Sequence, residues 1–462
     1  MTSTDSAVQA LRAALPGGQL HARGSEEYEK LNGGYLSGLE SDLRPLLIFQ
    51  PSSVGEVAAF VLTIRPFAGQ LDCAICGAGQ QPLPGCANVD GGITLDLSLL
   101  NSIALTEDKS VVQIGAGARW GAVYERLDAL GLSVTGSRSA AGGVGGLALA
   151  GGLSFFSSRE GFICDNVVNY QVVLSSGKVV NANEHENADL WVALRGGGNN
   201  FGIVTRFDLR TFEQGPFWGG NVFYFADNFP NQIESLVSEL TKPNASDLTH
   251  IMISIAHSVA MAAAFGAPIL CLNQAYYAEA VENPPVLDPF TKVTPQIDAL
   301  NSMSLKNVTA AASEQAEAAQ SQVRAAYINM AVKADVAALQ AISDIYTAAL
   351  SPLYNVSGAT FALTLQPYPV SLLAKSDASG GNKTDDAAVI AFMEGSLEKM
   401  RADEKARDAL VPYIYMNYAF TGQDVIGSYG PGNKAKLQAA SEKYDTVRLF
   451  QTGFRGGFKL FD

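Results

Sequence analysis

The chain has 462 residues, of which 47% are hydrophobic and 16% are charged, and it carries a formal net charge of −14. A chain of this length and composition can bury a large core, and we expect two or three domains. A surface this acidic repels phosphate backbones and anionic lipid headgroups, which excludes nucleic acid and a membrane surface as expected partners.

The first predicted element is a helical segment over residues 1–43. Its start, MTSTDSAVQALRAALPGG, has no basic end followed by an apolar run, which favours an amphipathic helix over a signal peptide and predicts a cytoplasmic protein. No later stretch reaches the roughly 18 uninterrupted apolar residues of a membrane-spanning helix. Five cysteines predict free thiols, although Cys73 and Cys76 form a lone C-x-x-C that leaves a redox motif as an alternative.

Residues 44–212 are predicted to form an α+β domain. Short β-branched runs broken by glycine predict strands, and these runs are LLIFQP, CAICGAG, GGITLDL, VVQIGAGA, NYQVVLSSGKVVNA and FGIVTRFDL. Residues 53–64 and 120–130 carry apolar side chains at three- and four-residue spacing, which predicts helices that each cover a sheet.

A second domain is predicted over residues 213–410, where glycine becomes rarer. Helices are predicted at 231–240, 314–332 and 335–349, with strands such as FALTLQP between them. From residue 411 the chain is again rich in glycine and aromatic residues, and its end, YDTVRLFQTGFRGGFKLF, is too apolar to remain in solvent. We therefore expect residues 411–462 to pack onto the body of the protein.

Two glycine-rich loops carry the clearest functional signal. Residues 142–152, GGVGGLALAGG, hold six glycines in eleven positions, and residues 76–85, CGAGQQPLPG, follow a predicted strand. Such glycines let backbone N–H groups approach an anion, so the loops together predict a diphosphate site, with a tight packed turn as the alternative for 142–152. Pro82 and Pro84 stand where the helix of a Rossmann fingerprint should run, which disfavours nicotinamide-type binding.

Several motifs in one order resemble a known family. They are GAGQQPLPGCANVDGGITLDLS, GVGGLALAGGLSFFS, GFICDNVVNYQVVLSSGKVVNAN, DLWVALRGGGNNFGIVTRFDL, YIYMNY and KYDTVRLFQTGFRGGFKLF. From about Arg44 to Phe461 the chain resembles the berberine-bridge-enzyme-like FAD-linked oxidases, fungal type, of the vanillyl-alcohol-oxidase and p-cresol methylhydroxylase superfamily.

This resemblance implies an α+β fold with a two-subdomain FAD-binding domain over residues 44–212. It also implies a substrate domain, an antiparallel sheet backed by helices, over 213–410, and a C-terminal segment over 411–462 that returns to the FAD domain. Carried over by position, the implied cofactor-binding residues are Cys76, Gly77, Ala78, Gly79, Gln80, Gln81, Ser139, Gly142, Gly143, Gly145, Gly146, Leu147, Gly152, Ile203, Tyr415 and Asn417.

The chain departs from the family pattern at both positions that attach flavin covalently. Gln80 stands where relatives carry a histidine bonded to the flavin, and Ser139 stands where bicovalent members carry a cysteine. Neither an amide nor a hydroxyl forms those bonds, so we expect non-covalent, dissociable FAD. A second departure is the short stretch after Asn382, which predicts a substrate sheet that lacks one strand.

The resemblance also implies catalytic residues. Tyr418, the last residue of Y-x-N-Y, is the expected base that takes a substrate proton above the flavin, and Gln366 is expected to line the pocket. A core aromatic residue and an exposed edge glutamine are the alternatives for these two positions. Gly142 resembles the position that gates oxygen, and its lack of a side chain is expected to leave that route open.

The sequence thus predicts an FAD-dependent oxidase or dehydrogenase that abstracts hydride from an alcohol or activated C–H of a small organic molecule. O2 is the expected acceptor and secondary metabolism the expected setting, and no metal is expected. One alternative is a redox-neutral cyclase or pericyclase on the same fold. Another is a ligand-binding module without activity, which the intact glycine loops argue against.

Overall fold

The structure, a computed structural model, describes residues 3–318, 323–356, 358–373, 375 and 387–461. Among the helices of these ranges, none combines the length and the apolar character needed to cross a bilayer. The same residues contain no group of three or more His, Cys, Asp or Glu side chains arranged to hold a metal ion. All five cysteines are free thiols.

The first sheet contains a parallel core. Its strands are β1 (Leu20–Ala22), β2 (Leu47–Phe49), β3 (Cys73–Cys76) and β4 (Ile93–Asp96), in the order β1-β2-β4-β3. Strands β2 and β3 both pair in parallel with β4, and a helix makes the crossover between β2 and β3, as parallel pairing requires. The helices around them are α1 (Ser3–Ala14), α2 (Glu26–Asn32), α3 (Gly38–Ser41) and α4 (Val54–Ile64).

Helix α4 shows why this part folds as the sequence predicts. The Ser53 side chain accepts a hydrogen bond from the Glu56 amide and caps the first turn. The buried side chains then follow at helical spacing, and Phe60 stacks on Phe49 of β2 with ring centroids 5.7 Å apart. The helix therefore covers the sheet with its apolar face, and the predicted helix at 53–64 is confirmed.

The second sheet is antiparallel and has five strands. They are β5 (Ile103–Leu105), β6 (Val111–Gly115), β8 (Val167–Val173), β9 (Val179–Asn183) and β10 (Ile203–Arg210), in the order β5-β6-β10-β8-β9, while β7 (Leu132–Ser133) pairs with β11 (Phe212–Glu213). Its helices are α5 (Trp120–Asp128), α6 (Val144–Leu149), α7 (Ser157–Glu160) and α8 (Ala188–Leu194). The predicted strands of this region and the predicted helix at 120–130 are confirmed.

The third sheet is also antiparallel and begins after β11. Its order is β15-β12-β14-β13-β17, from β12 (Phe217–Phe225), β13 (Thr249–Ser258), β14 (Leu270–Tyr277), β15 (Ser304–Lys306) and β17 (Thr360–Leu365), and a separate pair joins β16 (Ala331–Val332) to β18 (Leu410–Val411). The helices are α9 (Phe229–Thr241), α10 (Val259–Phe265), α11 (Asp288–Thr291), α12 (Val308–Ala318), α13 (Val336–Leu350), α14 (Val370–Leu373) and α15 (Ala387–Ala406).

The two faces of the third sheet have different neighbours. Because side chains alternate along a strand, β13 directs Ile251, Ile253 and Ile255 into a core shared with α9 and α13. The opposite face carries His250 and Met252, which contact residues of the FAD-binding half of the chain. An antiparallel sheet backed by helices on one face is the architecture that the sequence predicts for this region.

The predicted helix at 314–332 is wrong from Val323 onward, and residues 319–322 lie outside the described residues. Val323 forms a parallel bridge with Ser37, and Ala331 and Val332 form strand β16. The alanine-rich sequence favours a helix locally, but pairing with neighbouring segments overrides that preference. Residues 376–386 lie outside the described residues, so the strand predicted to be missing after Asn382 stays a prediction; α15 follows from Ala387.

The last elements are α16 (Val425–Ser428), α17 (Pro431–Tyr444) and α18 (Leu449–Thr452). Phe450 and Phe454 are fully buried in the core of the first two sheets. The Cys73 amide at the start of β3 donates to the Gly453 carbonyl at 2.6 Å. The C-terminal residues therefore complete the edge of the first sheet, as their apolar sequence predicts.

Candidate functional site

The two glycine-rich loops lie against each other. A side chain at Gly143 would place its Cβ 2.5 Å from the Ala78 Cβ, so only a glycine permits this approach. The Arg119 guanidinium bridges the loops, because it donates to the Ala141 carbonyl at 2.6 Å and to the Ala78 carbonyl at 3.2 Å. One charged side chain thus holds together two loops that are far apart in the sequence.

The first loop leaves β3 after Cys76. Gly79 has a φ of +64°, and a Cβ there would lie 2.7 Å from the Tyr35 ring. The Gln80 amide group donates back to the Ala78 carbonyl at 3.4 Å, and Gln81 follows next to it in the chain. Residues 77–81 therefore form a compact turn whose shape depends on glycine.

The second loop leads into α6. The helix begins at Val144 without a side-chain cap, so the amides of Gly145 and Gly146 have no acceptor within the helix. A Cβ at Gly146 would meet no atom within 4 Å, whereas one at Gly145 would lie 3.1 Å from the Ala116 carbonyl. An amide beside open space, as at Gly146, is what a diphosphate requires, so the start of α6 fits the pyrophosphate of FAD.

Gly142, Gly152 and Ser139 each lie close to another residue of the chain. A Cβ at Gly142 would lie 2.7 Å from Ser137 Oγ, so a side chain already fills the space that the sequence predicts to be an open oxygen route. A Cβ at Gly152, where φ is +84°, would lie 2.6 Å from Ile163. The Ser139 amide donates to Ser137 Oγ at 3.0 Å.

Of the remaining predicted cofactor positions, two belong to the scaffold, where Leu147 is partly buried and Ile203 is fully buried. Leu147 lies in α6 and packs against the main core, and Ile203 is the buried first residue of β10, paired with Val173 of β8. Burial in the C-x-x-C strand raises the pKa of the Cys76 thiol well above its ordinary value. A buried, protonated thiol is a poor nucleophile, which disfavours the redox alternative.

The Y-x-N-Y segment forms a tight turn over the end of α6. The Asn417 side chain donates to the Ala150 carbonyl at 2.9 Å and to the Tyr415 hydroxyl at 3.0 Å. Asn329 holds the same turn from the other side, since it accepts from the Tyr415 amide at 2.8 Å and donates to the Tyr415 carbonyl at 3.0 Å. These bonds fix the direction in which Tyr418 points.

The turn places Tyr418 at the centre of a polar cluster. Its hydroxyl lies 3.4 Å from Gln366 Oε1, so the structure brings together the two side chains predicted to be catalytic. Arg138 Nη2 donates to the Tyr418 hydroxyl, and Nη1 lies 3.1 Å from Gln366 Oε1. Nη1 also lies 3.2 Å from His250 Nε2 and 2.6 Å from the Met252 sulfur.

Sequence reasoning missed Arg138 and His250. Arg138 directly precedes the predicted cofactor residue Ser139, and a charged side chain inside an apolar, glycine-rich stretch is the signal that could have identified it. His250 lies on β13, and burial together with the nearby guanidinium lowers its pKa well below the ordinary value. His250 is therefore neutral, and its Nε2 accepts the hydrogen bond from Arg138.

Aromatic rings enclose the cluster. Tyr415 meets the Tyr418 ring edge-on at 5.0 Å, and Tyr327 meets it edge-on at 5.8 Å from the more exposed side. Burial raises the pKa of Tyr415 and of the neighbouring Tyr368 well above the ordinary value, so both are neutral phenols. Such a lining suits a flat organic molecule.

Comparisons with known proteins identify relatives of the whole chain and of its FAD-binding half. The family model "FAD binding domain" matches residues 45–183. The FAD-dependent monooxygenase FUP4 of Fusarium proliferatum (strain ET1) is 32% identical over 92% of this chain and 87% of its own length.

Two solved structures share the fold. They are 6-hydroxy-D-nicotine oxidase of Arthrobacter nicotinovorans, with a TM-score of 0.78 and 18% identity over 94% of this chain and 96% of that one, and the glucooligosaccharide oxidase of Acremonium strictum. The latter, which carries 6-S-cysteinyl, 8α-N1-histidyl FAD, has a TM-score of 0.73 and 20% identity over 99% of each chain.

The fold, the glycine loops and these similarities define an FAD-dependent oxidoreductase. Within that class, the chain belongs to the family of the fungal FAD-dependent monooxygenases, and it shares the fold of the berberine-bridge-enzyme-like proteins that its motifs resemble.

Proposed function

We propose that the protein is an FAD-dependent oxidase or dehydrogenase that removes a hydride from an alcohol or activated C–H of a small organic molecule. The observation that carries the proposal is the Arg138–Tyr418–Gln366 cluster, which lies on the turn that Asn417 ties to the end of α6. When bound, FAD accepts the hydride and passes the electrons to an acceptor. The protein has to bind the substrate and take up its proton.

Tyr418 is the proposed proton acceptor. Its hydroxyl oxygen accepts from Arg138, so negative charge that develops on this oxygen during proton transfer faces a guanidinium. Gln366 Oε1 lies 3.4 Å from the same oxygen and accepts a hydrogen bond from the hydroxyl while Tyr418 is a phenol. Tyr418 can take the substrate proton only after its own proton has left to solvent, and the resulting phenolate oxygen then faces the guanidinium of Arg138. Together, Arg138 and Gln366 fix the orientation of this oxygen before substrate enters.

We propose that FAD binds without a covalent bond. The residues present fit its diphosphate, since the Gly146 amide has no acceptor within α6 and lies beside open space. Gln80 stands at the position where the family pattern has the histidine that attaches flavin, and its amide donates to the Ala78 carbonyl of its own turn. The glucooligosaccharide oxidase with 6-S-cysteinyl, 8α-N1-histidyl FAD shares the fold, and on this proposal the two proteins differ in how they hold the flavin.

O2 is the proposed acceptor, and secondary metabolism is the proposed setting. A fungal relative at 32% identity is named a monooxygenase, an activity that consumes O2. The space at Gly142 is occupied by Ser137, so oxygen would have to approach by a route other than the one predicted from this glycine.

An absorbance spectrum before and after acid precipitation tests the cofactor, and anaerobic addition of substrate candidates tests the chemistry. We expect flavin in the supernatant and bleaching of its spectrum by an oxidisable substrate. Yellow colour retained in the pellet would contradict non-covalent binding. Conversion of a substrate without any flavin reduction would contradict the oxidase and favour the redox-neutral cyclase.

A further inference from the structure

Arg138 has no carboxylate partner among the described residues, whereas several arginines near the FAD-binding sheets have one. Arg159 and Arg210 both pair with Glu160, and Arg206 pairs with Asp208 at 2.6 Å. Arg138 instead contacts neutral groups, namely an imidazole, a thioether, an amide and a phenol. Its charge is therefore not neutralised by the protein chain described in the structure.

An uncompensated guanidinium in a partly enclosed site is costly. Removing a charge from water is unfavourable unless an opposite charge or several strong hydrogen bonds replace the solvent. The chain has 45 acidic residues against 31 basic ones, so a carboxylate partner would have been easy to supply. The absence of such a partner directly beside the proposed base leaves the charge of this guanidinium available to an anion from outside.

The surroundings restrict what that anion can be. The Tyr418 hydroxyl contacts the guanidinium, the Tyr327 ring meets the Tyr418 ring edge-on, and the Tyr276 ring lies 6.1 Å from that of His250. These rings make the surroundings of the guanidinium largely apolar, whereas His250 is neutral and adds no second positive charge. A single cation between aromatic rings suits one planar oxyanion and does not suit a phosphate with two charges.

We propose that Arg138 binds the substrate through a planar, conjugated oxyanion, either a carboxylate or an ionised enol, so that the natural substrate is an organic acid. This inference rests on the proposed function, because it names the substrate class of the same site. The oxyanion contacts the guanidinium beside Tyr418, which holds the adjacent carbon within reach of the base. Arg138 thereby acts in substrate recognition as well as in orienting Tyr418.

Calorimetric titration of the flavin-loaded protein with simple probes tests the inference. Benzoate represents the carboxylate and 1,3-cyclohexanedione the ionised enol, while benzamide and cyclohexanone are their neutral counterparts. We expect at least one anion to bind, and its neutral counterpart to bind much more weakly. In Arg138→Met the anion should lose roughly thirtyfold or more in affinity, as expected for removal of one member of an enclosed charge pair.

The exposed Arg126 in α5 provides the matched control. Arg126→Met makes the same charge change on the surface and should leave anion binding unchanged. Equal binding of the anions to wild type and Arg138→Met would overturn the inference, and so would equal binding of neutral and anionic probes. Loss of FAD from Arg138→Met with anion binding retained would also overturn it, since the guanidinium would then serve the cofactor.

The two proposals can fail separately. If the anions bind through Arg138 but no organic acid or alcohol reduces the flavin, the inference stands and the proposed oxidation is wrong. If flavin is reduced only by neutral substrates and the anions do not bind, the oxidation stands and the inference is wrong.

Discussion

The substitution Tyr418→Phe isolates the hydroxyl group from the rest of the side chain. The ring stays in contact with Tyr415 and Tyr327, whose centroids lie 5.0 Å and 5.8 Å away, so the packing of the turn should survive. What is lost is the oxygen that accepts from Arg138 and lies 3.4 Å from Gln366. The change therefore tests the proposed base without reshaping the pocket.

Two magnitudes follow from these contacts. Loss of a positioned general base is expected to slow flavin reduction by about 10²- to 10⁴-fold. Loss of one acceptor of a half-buried guanidinium is expected to lower the free energy of unfolding by about 1 kcal/mol, at the low end of the range for fully buried groups. Activity should thus fall far more than stability.

Anaerobic stopped-flow absorbance measures flavin reduction, and urea denaturation measures stability. Tyr327→Phe is the control, because it makes the same chemical change on the neighbouring ring. Reduction in Tyr418→Phe within about threefold of wild type would refute the role of Tyr418 as base. A large loss of stability would instead show that the hydroxyl is structural.

Further predictions concern other parts of the site and its scaffold. Gly143→Val should weaken FAD binding in a fluorescence titration, because its Cβ would lie 2.5 Å from that of Ala78; Gly432→Ala in α17, where a Cβ meets nothing within 4 Å, should have no effect. Asn329→Leu should lower the free energy of unfolding in urea by about 2 kcal/mol, because the Tyr415 amide loses its acceptor and the Tyr415 carbonyl loses one of its two donors. An unchanged unfolding midpoint would contradict that role.

Stability should also depend on pH through Glu40, whose pKa burial raises from 4.5 to about 8. The folded state keeps its proton while the unfolded state releases it, so unfolding free energy should fall as pH rises from about 4.5 to 8, by on the order of 4 kcal/mol. In Glu40→Gln, the fall of the unfolding free energy with pH that is due to this group should disappear, as measured by denaturation curves taken at several pH values across that range. A slope unchanged from wild type would show that Glu40 is ionised in the folded protein.

Local patterns predicted most of the scaffold. The capping serine and the apolar spacing of helix α4 lie within one short stretch of sequence, and strand β3 is a short apolar run before a glycine turn. The glycine loops and the Y-x-N-Y motif were also visible, and the family resemblance named Tyr418 and Gln366 as separate site residues without predicting their contact. These features depend on neighbours in sequence or on a motif whose spacing is fixed.

The rest could not be read from local patterns because it depends on distant partners. Arg138 gains its role from Gln366 and Tyr418, which follow it by 228 and 280 residues. The segment after Ala318 has helix-forming residues, yet Asn329 is drawn into bonds with Tyr415, 86 residues away. Gly152 is a glycine because it packs closely on Ile163. In the sequence alone, this glycine looks like part of a ligand-binding loop.

The C-terminal closure of the first sheet determines when during its synthesis the protein can acquire flavin. Cys73 bonds to Gly453, and the Asn200 side chain donates to the Phe458 carbonyl at 2.6 Å. On a ribosome Gly453 and Phe458 emerge after the substrate domain has been made. The contacts that close the FAD-binding half can therefore form only after that domain, so we expect cofactor capture to follow its synthesis rather than to nucleate folding.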